Sequence, residues 1–236
     1  MNIRIASLVK DEADRMLPQL LPIWRELGEV WVQIDGGTKD VQAHIDLLEE
    51  HDCRYTFFDG TMEGHEWSAR KHLWDWVTCT GEPEWIVHLD ADHMPAGDFR
   101  PYLKFNRVAF HVFDMWSATH YREDEWWRVA PWWGAVNVKN FRDYDWYWST
   151  RGWHSGHLPL NIGAAGPEAV MPLDVSVLHY GYATPRLREQ HHAAYMARHK
   201  VLTPQELAHA QTIVDEEPRI RPLPFEPKWE LDMEGF

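Results

Sequence analysis

The sequence predicts an α/β fold in which a mostly parallel sheet is flanked by helices. Three observations predict this fold. Strand-like and helical segments alternate through the first half of the chain, the strand-like segments are largely apolar, and acidic residues follow several of them. In such a fold the functional site lies at the carboxyl ends of the strands.

The first half of the chain predicts four strands and three helices. The predicted strands cover residues 3–9, 30–34, 54–58 and 85–89. The first predicted helix covers 18–27, where Pro18 is tolerated in the first turn, and the second carries Val41, Ile45 and Leu48 on one face. The third covers 67–77, with Trp67, Arg70, Lys71 and Trp74 at helical spacing. This order predicts a sheet of the βαβ type.

The second half of the chain shows a different residue pattern. Strands are predicted within 108–116, 132–138 and 170–180, and the loops between them carry most of the Trp and His residues. Tryptophans crowded between Trp116 and Trp153 suit either core packing or stacking on a sugar or base. Thr203 and Glu206 form a capping box that predicts a helix over 204–214. Four later prolines predict an extended tail: Pro218, Pro222, Pro224 and Pro227.

Composition favours one domain and disfavours nucleic acid as a partner. A chain of 236 residues with 44% hydrophobic content builds one core, which we divide into a first half (1–100), a second half (101–200) and a C-terminal helix with its tail (201–236). A formal charge of −14 disfavours binding to a phosphate backbone. The sequence shows no secretory signal pattern and no apolar run of about 18 residues. We therefore expect a cytoplasmic protein without an integral membrane segment. Cys53 and Cys79 have no metal or disulfide spacing and predict no site.

Two carboxylates at the end of the fourth predicted strand carry the strongest chemical signal. Asp90 and Asp92 are spaced i, i+2, which on a strand directs both side chains to one face. Carboxylates at the carboxyl end of a parallel strand can hold a hard divalent cation that a ligand's phosphate oxygens share. The pair therefore indicates an enzyme that handles a nucleoside-diphosphate compound.

The ordered motifs resemble the family 2 glycosyltransferases with the GT-A fold, in particular their lipopolysaccharide-core-type members. The resemblance rests on segments 10–12 (KDE), 35–40 (DGGTKD), 69–70 (AR), 85–92 (WIVHLDAD), 153–157 (WHSGH) and 177–182 (VLHYGY). The chain departs from the family pattern at Asp11, where Asn is usual, at Lys71, where Asn often follows the Arg, and at Ser155, where the family has Glu.

The resemblance implies a GT-A-like (Rossmann-like) sheet followed by an irregular, Trp-rich acceptor half and a C-terminal helix. It implies that Asp92 and His179 hold Mn²⁺ or Mg²⁺, with Asp90 beside the cation and facing the ribose. The donor would be a nucleotide-sugar, in this family a UDP-sugar.

The resemblance also places Asp35 at the base and ribose, Arg70 at the nucleotide or diphosphate, and Glu12 near a uracil-type base. Simpler interpretations remain open for each of these residues. Asp35 suits a cap, Arg70 a surface ion pair and Glu12 a first-turn helix acid. His179 equally suits a hydrogen-bonded core histidine.

An inverting transfer also needs a base that takes the proton of the acceptor hydroxyl. The candidates are Asp143, Asp145, His154 and His157, and our preference is Asp145. His157 lies nearest the family's loop motif.

The remaining histidines predict no site. His191, His192 and His199 fall on a predicted basic, solvated helix face, or on a segment that closes over the diphosphate. Four others show no ligand spacing above chance: His65, His93, His111 and His120.

We therefore expect a metal-dependent, inverting glycosyltransferase that moves a sugar to an unidentified acceptor hydroxyl. The alternatives are a noncatalytic carbohydrate-binding protein and a glycosyltransferase acting on a modified base in DNA, which the charge disfavours. A nucleotidyltransferase is disfavoured because residues 7–12 lack the glycine-rich loop that such enzymes carry after the first strand.

Overall fold

The computed structural model describes residues 1–63, 65–140, 145–148, 158–165, 168–197 and 202–234. The strands of these residues are β1 (Ile3–Val9), β2 (Glu29–Asp35), β3 (Arg54–Phe58), β4 (Trp85–His88), β5 (His93–Pro95), β6 (Arg107–Asp114), β7 (His120–Arg122), β8 (Ala130–Asn137), β9 (Glu168–Val170), β10 (Val177–His179) and β11 (Ile220–Pro222). The α-helices are α1 (Leu17–Leu27), α2 (Val41–Glu50), α3 (Glu66–Cys79), α4 (Pro185–Ala197) and α5 (Pro204–Thr212).

Most strands belong to one sheet, in the order β3-β2-β1-β4-β8-β6-β10-β5, with β9 paired to β6. The pairs β3–β2, β2–β1 and β1–β4 are parallel. Strand β8 is antiparallel to both of its neighbours, β10 is parallel to β6, and β5 is antiparallel to β10. The predicted α/β fold with a mostly parallel sheet flanked by helices is confirmed.

Helices cover both faces of the sheet. Successive side chains of a strand point to opposite faces, so one strand can pack against helices on both sides. Along β1, Ile5 packs in the cluster that contains α1 and Leu48 of α2, whereas Ala6 packs in the cluster that contains α3. The first cluster also contains Leu231, so the tail adds to the main core.

The predicted elements of the first half are all present, with two corrections. Helix α3 buries Ala69, Leu73 and Val77 against the sheet and leaves Lys71 exposed, so the predicted face was wrong at Lys71. Strand β4 ends at His88, one residue earlier than predicted, so Asp90 lies in the loop that leads to β5.

The predicted elements of the second half are also present. Strands β6 and β8 overlap two of the predicted segments, β10 lies within the third, and α5 begins with the predicted capping box at Thr203. The tail is extended: β11 pairs with β7, and the amide of Lys228 donates to the carbonyl of Ala96. Among the described helices, none is long and apolar enough to cross a membrane.

Candidate active site

A cavity of about 730 Å³ opens where β1, β4, β6 and β10 end. Glu12 follows β1, Asp90 and Asp92 follow β4, and Asp114 and His179 are the last residues of β6 and β10. Arg70 of α3 and His191 of α4 also line the cavity. The parallel strands thus deliver several ionisable side chains to one edge of the sheet, as the fold class predicts.

His179 lies between two carboxylates. Its Nδ1 donates to Asp114 Oδ1 at 2.7 Å, and its Nε2 lies 3.2 Å from Asp92 Oδ2. An imidazole whose Nδ1–H is bound by a carboxylate presents Nε2 to a metal, which is the usual arrangement at metal sites. Sequence analysis missed Asp114.

The opposite charges of His179 and the two carboxylates stabilise the ionised forms of these side chains. Burial favours neutral His179, but the charge of Asp92 and the hydrogen bond to Asp114 outweigh it and raise the pKa of His179 well above its usual value. Burial likewise favours neutral Asp92, but His179 lowers the pKa of Asp92 well below its usual range. A cation that binds at Nε2 would replace the proton of the imidazolium there as the positive charge that the two carboxylates require.

Gly181 leaves room for the ionisable side chains around it. A Cβ on Gly181 would lie 2.7 Å from Asp92 Oδ2, 2.7 Å from His179 Nε2 and 3.2 Å from His191 Nε2. Asp92 and His179 supply a carboxylate and an imidazole, a donor pair that suits Mn²⁺ and other first-row divalent metals.

His93 also approaches this group. One ligand atom each of Asp92, His93 and His179 lies within 4.8 Å of the others. The sequence spacing of His93 did not predict this proximity. His93 lies beside His179, with ring centroids 5.0 Å apart, because β5 and β10 are paired. No local sequence spacing encodes that pairing.

His191 corrects a second expectation. We predicted a solvated basic face for this part of α4, but His191 lines the cavity with Asp92. Burial, together with the nearby charges of His179 and Arg15, lowers the pKa of His191 to about 4 in spite of Asp92. His191 is consequently neutral at pH 7. His192 is not among the described residues that line this cavity, and His199 lies outside the described residues.

Arg70 connects α3 to the motif after β4. Its Nε donates to Glu66 Oε1 at 2.8 Å and one terminal nitrogen donates to Asp90 Oδ1 at 3.1 Å. The Arg70 and Glu66 side chains are 6% and 9% exposed. The ion pair of Arg70 is therefore buried, and the surface interpretation does not hold.

Glu12 faces the same cavity from the loop after β1. Asp11 adopts a positive φ of 55°, a conformation that Asn and Asp tolerate better than most residues. The Glu12 carboxylate contacts Arg15 at 2.6 Å. Burial, followed by the charges of Asp92 and other acids, raises the pKa of Glu12 to about 8 in spite of Arg15.

Other candidates lie elsewhere. Asp35 is fully buried and accepts hydrogen bonds from the amides of Gly37 and Met62, so it holds the turn after β2 and is not among the described residues that line the cavity. Asp145 is exposed, and its carbonyl accepts from Asn161. The other candidate bases fall outside the described residues: Asp143, His154 and His157.

The tryptophans divide between core and cavity. Trp132 lines the cavity and meets His93 edge-on at 5.4 Å. Trp116 and Trp127 pack with Tyr182 in a separate cluster, and Trp146 packs edge-on against Trp74. Of these, Trp132 is the one placed to stack on a ligand.

A second cavity, of about 780 Å³, lies between β7, β11 and the end of α5. Ion pairs join several of its charged residues: Arg122 pairs with Asp124 and Asp215, and Arg221 pairs with Glu123. It does not bring together the chemically reactive groups that the first cavity does, so we take the first as the candidate active site.

Comparison with known proteins identifies the fold. The chain superposes on Staphylococcus aureus TarS 1-349, solved in complex with UDP, with a TM-score of 0.50 and 12% identity over 91% of this chain and 70% of that chain. HddC from Yersinia pseudotuberculosis matches with a TM-score of 0.43 and 10% identity, covering 80% of this chain and 97% of that chain. The cytidylyltransferase LicC from Streptococcus pneumoniae matches with 0.38 and 11%, covering 80% and 98%. No protein-family model and no curated protein matches the chain.

The likeness to TarS shows a GT-A-like fold. The predicted fold class is thereby confirmed, whereas membership of family 2 stays a prediction.

Proposed function

We propose that this chain is a metal-dependent, inverting glycosyltransferase of the family 2 type that transfers a sugar from a UDP-sugar to an acceptor hydroxyl. The observation that carries the proposal is the meeting of Asp92 and His179 with the Asp90–Arg70 pair in one cavity at the carboxyl ends of the strands. The UDP bound to TarS supports a nucleotide donor for this fold.

The side chains of the cavity suit separate tasks. Asp92 and His179 hold the cation, and Asp90, fixed by Arg70, lies beside the ribose. Mn²⁺ or Mg²⁺ in this position would neutralise the charge that develops on the leaving diphosphate. Asp114 keeps the proton of His179 on Nδ1, so that Nε2 remains a ligand.

The donor base and the acceptor are bound by other groups. Glu12 is neutral below pH 8 and can donate a hydrogen bond to a carbonyl of a uracil-type base. We retain Asp35 as the residue that holds the turn beside the base and ribose. Trp132 supplies a ring for stacking at the acceptor side.

For the base that deprotonates the acceptor hydroxyl we retain Asp145, His157 and Asp143, in that order, together with His154. We also retain a single-domain organisation, and the cytoplasm as its compartment, which the two free cysteines support. The negative charge keeps a DNA acceptor disfavoured.

Calorimetry tests the donor half of the proposal. UDP should bind more tightly in the presence of Mn²⁺, and Asp92→Asn should remove the metal-dependent part of the affinity. Asp98→Asn is the matched control, because Asp98 is a carboxylate that pairs with Arg100 away from the cavity. Equal UDP affinity with and without Mn²⁺ would contradict metal dependence.

A donor screen tests the reaction itself. UDP, GDP and CMP release from their sugar donors is measured with Mn²⁺ present, and UDP release is expected. If no donor releases its nucleotide, the enzymatic proposal is wrong. Binding of sugar without metal or nucleotide would then favour a noncatalytic carbohydrate-binding protein.

A further inference from the structure

One segment of the chain connects the two cavities. Arg128 lines both of them, Trp126 lines the second cavity, and Trp132 lines the first. The residues Trp127 and Val129, which alternate with them, pack into the interior instead. Side chains that alternate in this way are typical of an extended chain, which points every second residue to the same side. The segment therefore presents one row of side chains that runs from Trp126 past Arg128 to Trp132.

This row is long enough for a chain of several sugar units. Trp132 follows Trp126 by six positions, and an extended chain advances about 3.3 Å per residue, so the row measures up to roughly 20 Å. Cavities of about 780 and 730 Å³ meet at Arg128. A chain-like ligand can therefore occupy both cavities, whereas a small ligand fills only the first.

Hydrogen bonds hold the wall of the second cavity in place. Asp124 Oδ1 accepts the amide protons of Trp126 and Trp127 at 2.9 and 3.1 Å. Trp127 Nε1 donates to Thr212 Oγ1 at 2.8 Å. Trp127 is 2% exposed, whereas Trp126 remains 37% exposed on the cavity wall. An aromatic ring that is held partly exposed beside polar groups suits stacking on the apolar face of a sugar.

The charge of the second cavity distinguishes between classes of ligand. The described residues of its lining include four arginines and five carboxylates, so its formal charge is close to zero. The arginines are Arg122, Arg128, Arg219 and Arg221, and the carboxylates are Glu123, Asp124, Glu125, Asp215 and Glu217. Binding of a polyanion requires an excess of cationic side chains. Neutral sugars instead carry hydroxyl groups that both donate and accept hydrogen bonds, which guanidinium groups and carboxylates match.

We propose that the second cavity is a distal acceptor subsite and that the acceptor is a neutral oligosaccharide. The hydroxyl that reacts lies in the first cavity near Trp132, and the remaining sugars extend past Arg128 and stack on Trp126. The affinity for the acceptor should therefore rise with chain length until the second cavity is filled. This inference names the acceptor class of the proposed function, and the acceptor role of the subsite rests on that function.

The test measures binding to an array of neutral, sulfated and phosphorylated glycans, from monosaccharides to octasaccharides, without a donor. The glycans that bind are then titrated by calorimetry. Neutral chains are expected to bind with an affinity that rises with length. Trp126→Ala should weaken binding of the longest chains at least about tenfold and leave the shortest glycan that binds unchanged. Trp126→Phe keeps an aromatic ring and should restore part of the loss.

Phe57→Ala is the matched control. Phe57 is 43% exposed on β3 and is not among the described residues that line either cavity, so its replacement is expected to leave all glycan affinities unchanged. A structural defect in Trp126→Ala would weaken short and long glycans equally, so the dependence on length separates a lost contact from a damaged fold. Circular dichroism confirms that each variant is folded.

Three results would overturn the inference. The first is that no neutral glycan binds. The second is that sulfated or phosphorylated chains bind more tightly than neutral chains of the same length. The third is that Trp126→Ala binds the long chains as the wild type does, or weakens short and long chains by the same factor.

These results are distinguishable from failure of the proposed function, because glycan binding is measured without a donor. If Trp126→Ala selectively loses the long chains but no donor releases a nucleotide, the transferase proposal fails and the oligosaccharide site stands. If UDP is released and no neutral glycan binds, the subsite alone fails.

Discussion

Replacement of Asp114 by Asn is expected to weaken cation binding while leaving the fold intact. Asn has nearly the same shape as Asp, so the end of β6 keeps its packing. The change removes the charge that holds the proton of His179 on Nδ1, a hydrogen bond of 2.7 Å between groups that are 19% and 23% exposed. An uncharged amide can present its NH₂ group to Nδ1 instead, which places the proton on Nε2 and removes the lone pair that a metal requires.

The expected loss is about 10- to 100-fold in metal affinity, the usual effect of removing the partner that orients a metal-binding histidine. This corresponds to about 1.4 to 2.8 kcal/mol of binding free energy. Because both side chains are mostly shielded from water, salt should reduce the effect only slightly.

The assay is a Mn²⁺ titration of the wild type and of Asp114→Asn, with Asp98→Asn as the control for loss of a carboxylate elsewhere. Nitrogen NMR of His179 adds a readout that loss of charge alone would not change, since it reports which ring nitrogen carries the proton. Unchanged Mn²⁺ affinity together with an unchanged His179 tautomer would refute the orienting role of Asp114.

Three further predictions concern the same cavity. Gly181→Ala should abolish Mn²⁺ binding in a folded protein, because its Cβ would lie 2.7 Å from Asp92 Oδ2; Mn²⁺ binding at wild-type affinity would contradict the position of the cation. The pKa of Glu12 is raised from 4.5 to about 8. Between these two pH values the folded state binds more protons than the unfolded state, so the wild type loses stability as the pH rises from 4.5 to about 8. Glu12→Gln should therefore gain stability relative to the wild type between these pH values, by on the order of a few kcal/mol in urea unfolding, and a pH-independent difference would contradict this. Arg70→Met removes the guanidinium that pairs with the buried carboxylate of Glu66 and should lower the free energy of unfolding by about 3 to 5 kcal/mol, whereas the exposed Lys71→Met should change it by less than about 0.5 kcal/mol; equal stability of the two variants would show that the buried pair is unimportant.

The sequence predicted those parts of the cavity that local pattern encodes. Asp90, Asp92 and Glu12 lie within four residues of the ends of apolar strands, and the capping box at Thr203 is likewise a local sequence signal. Arg70 and His179 were predicted through the family resemblance, and both line the cavity. The ends of strands can be predicted from the sequence because an apolar run stops where the chain leaves the sheet.

Residues that the sequence missed depend on contacts between distant segments. Asp114 was hidden inside a strand predicted to end at residue 116, whereas the structure ends that strand at Asp114 and pairs it with β10. His191 required the rotational phase of α4, which Leu187 and Tyr195 set by packing. Their spacing of four residues on each side of His191 was the available signal.

The extended tail has a consequence for the order of folding during synthesis. Gln19 of α1 exchanges hydrogen bonds with Asp232, its partner 213 residues later, and Glu26 of the same helix binds Lys228 and Trp229. Helix α1 leaves the ribosome well before residues 228–232, so these outer contacts of α1 form only when that segment has emerged. Until then its surface is available to chaperones.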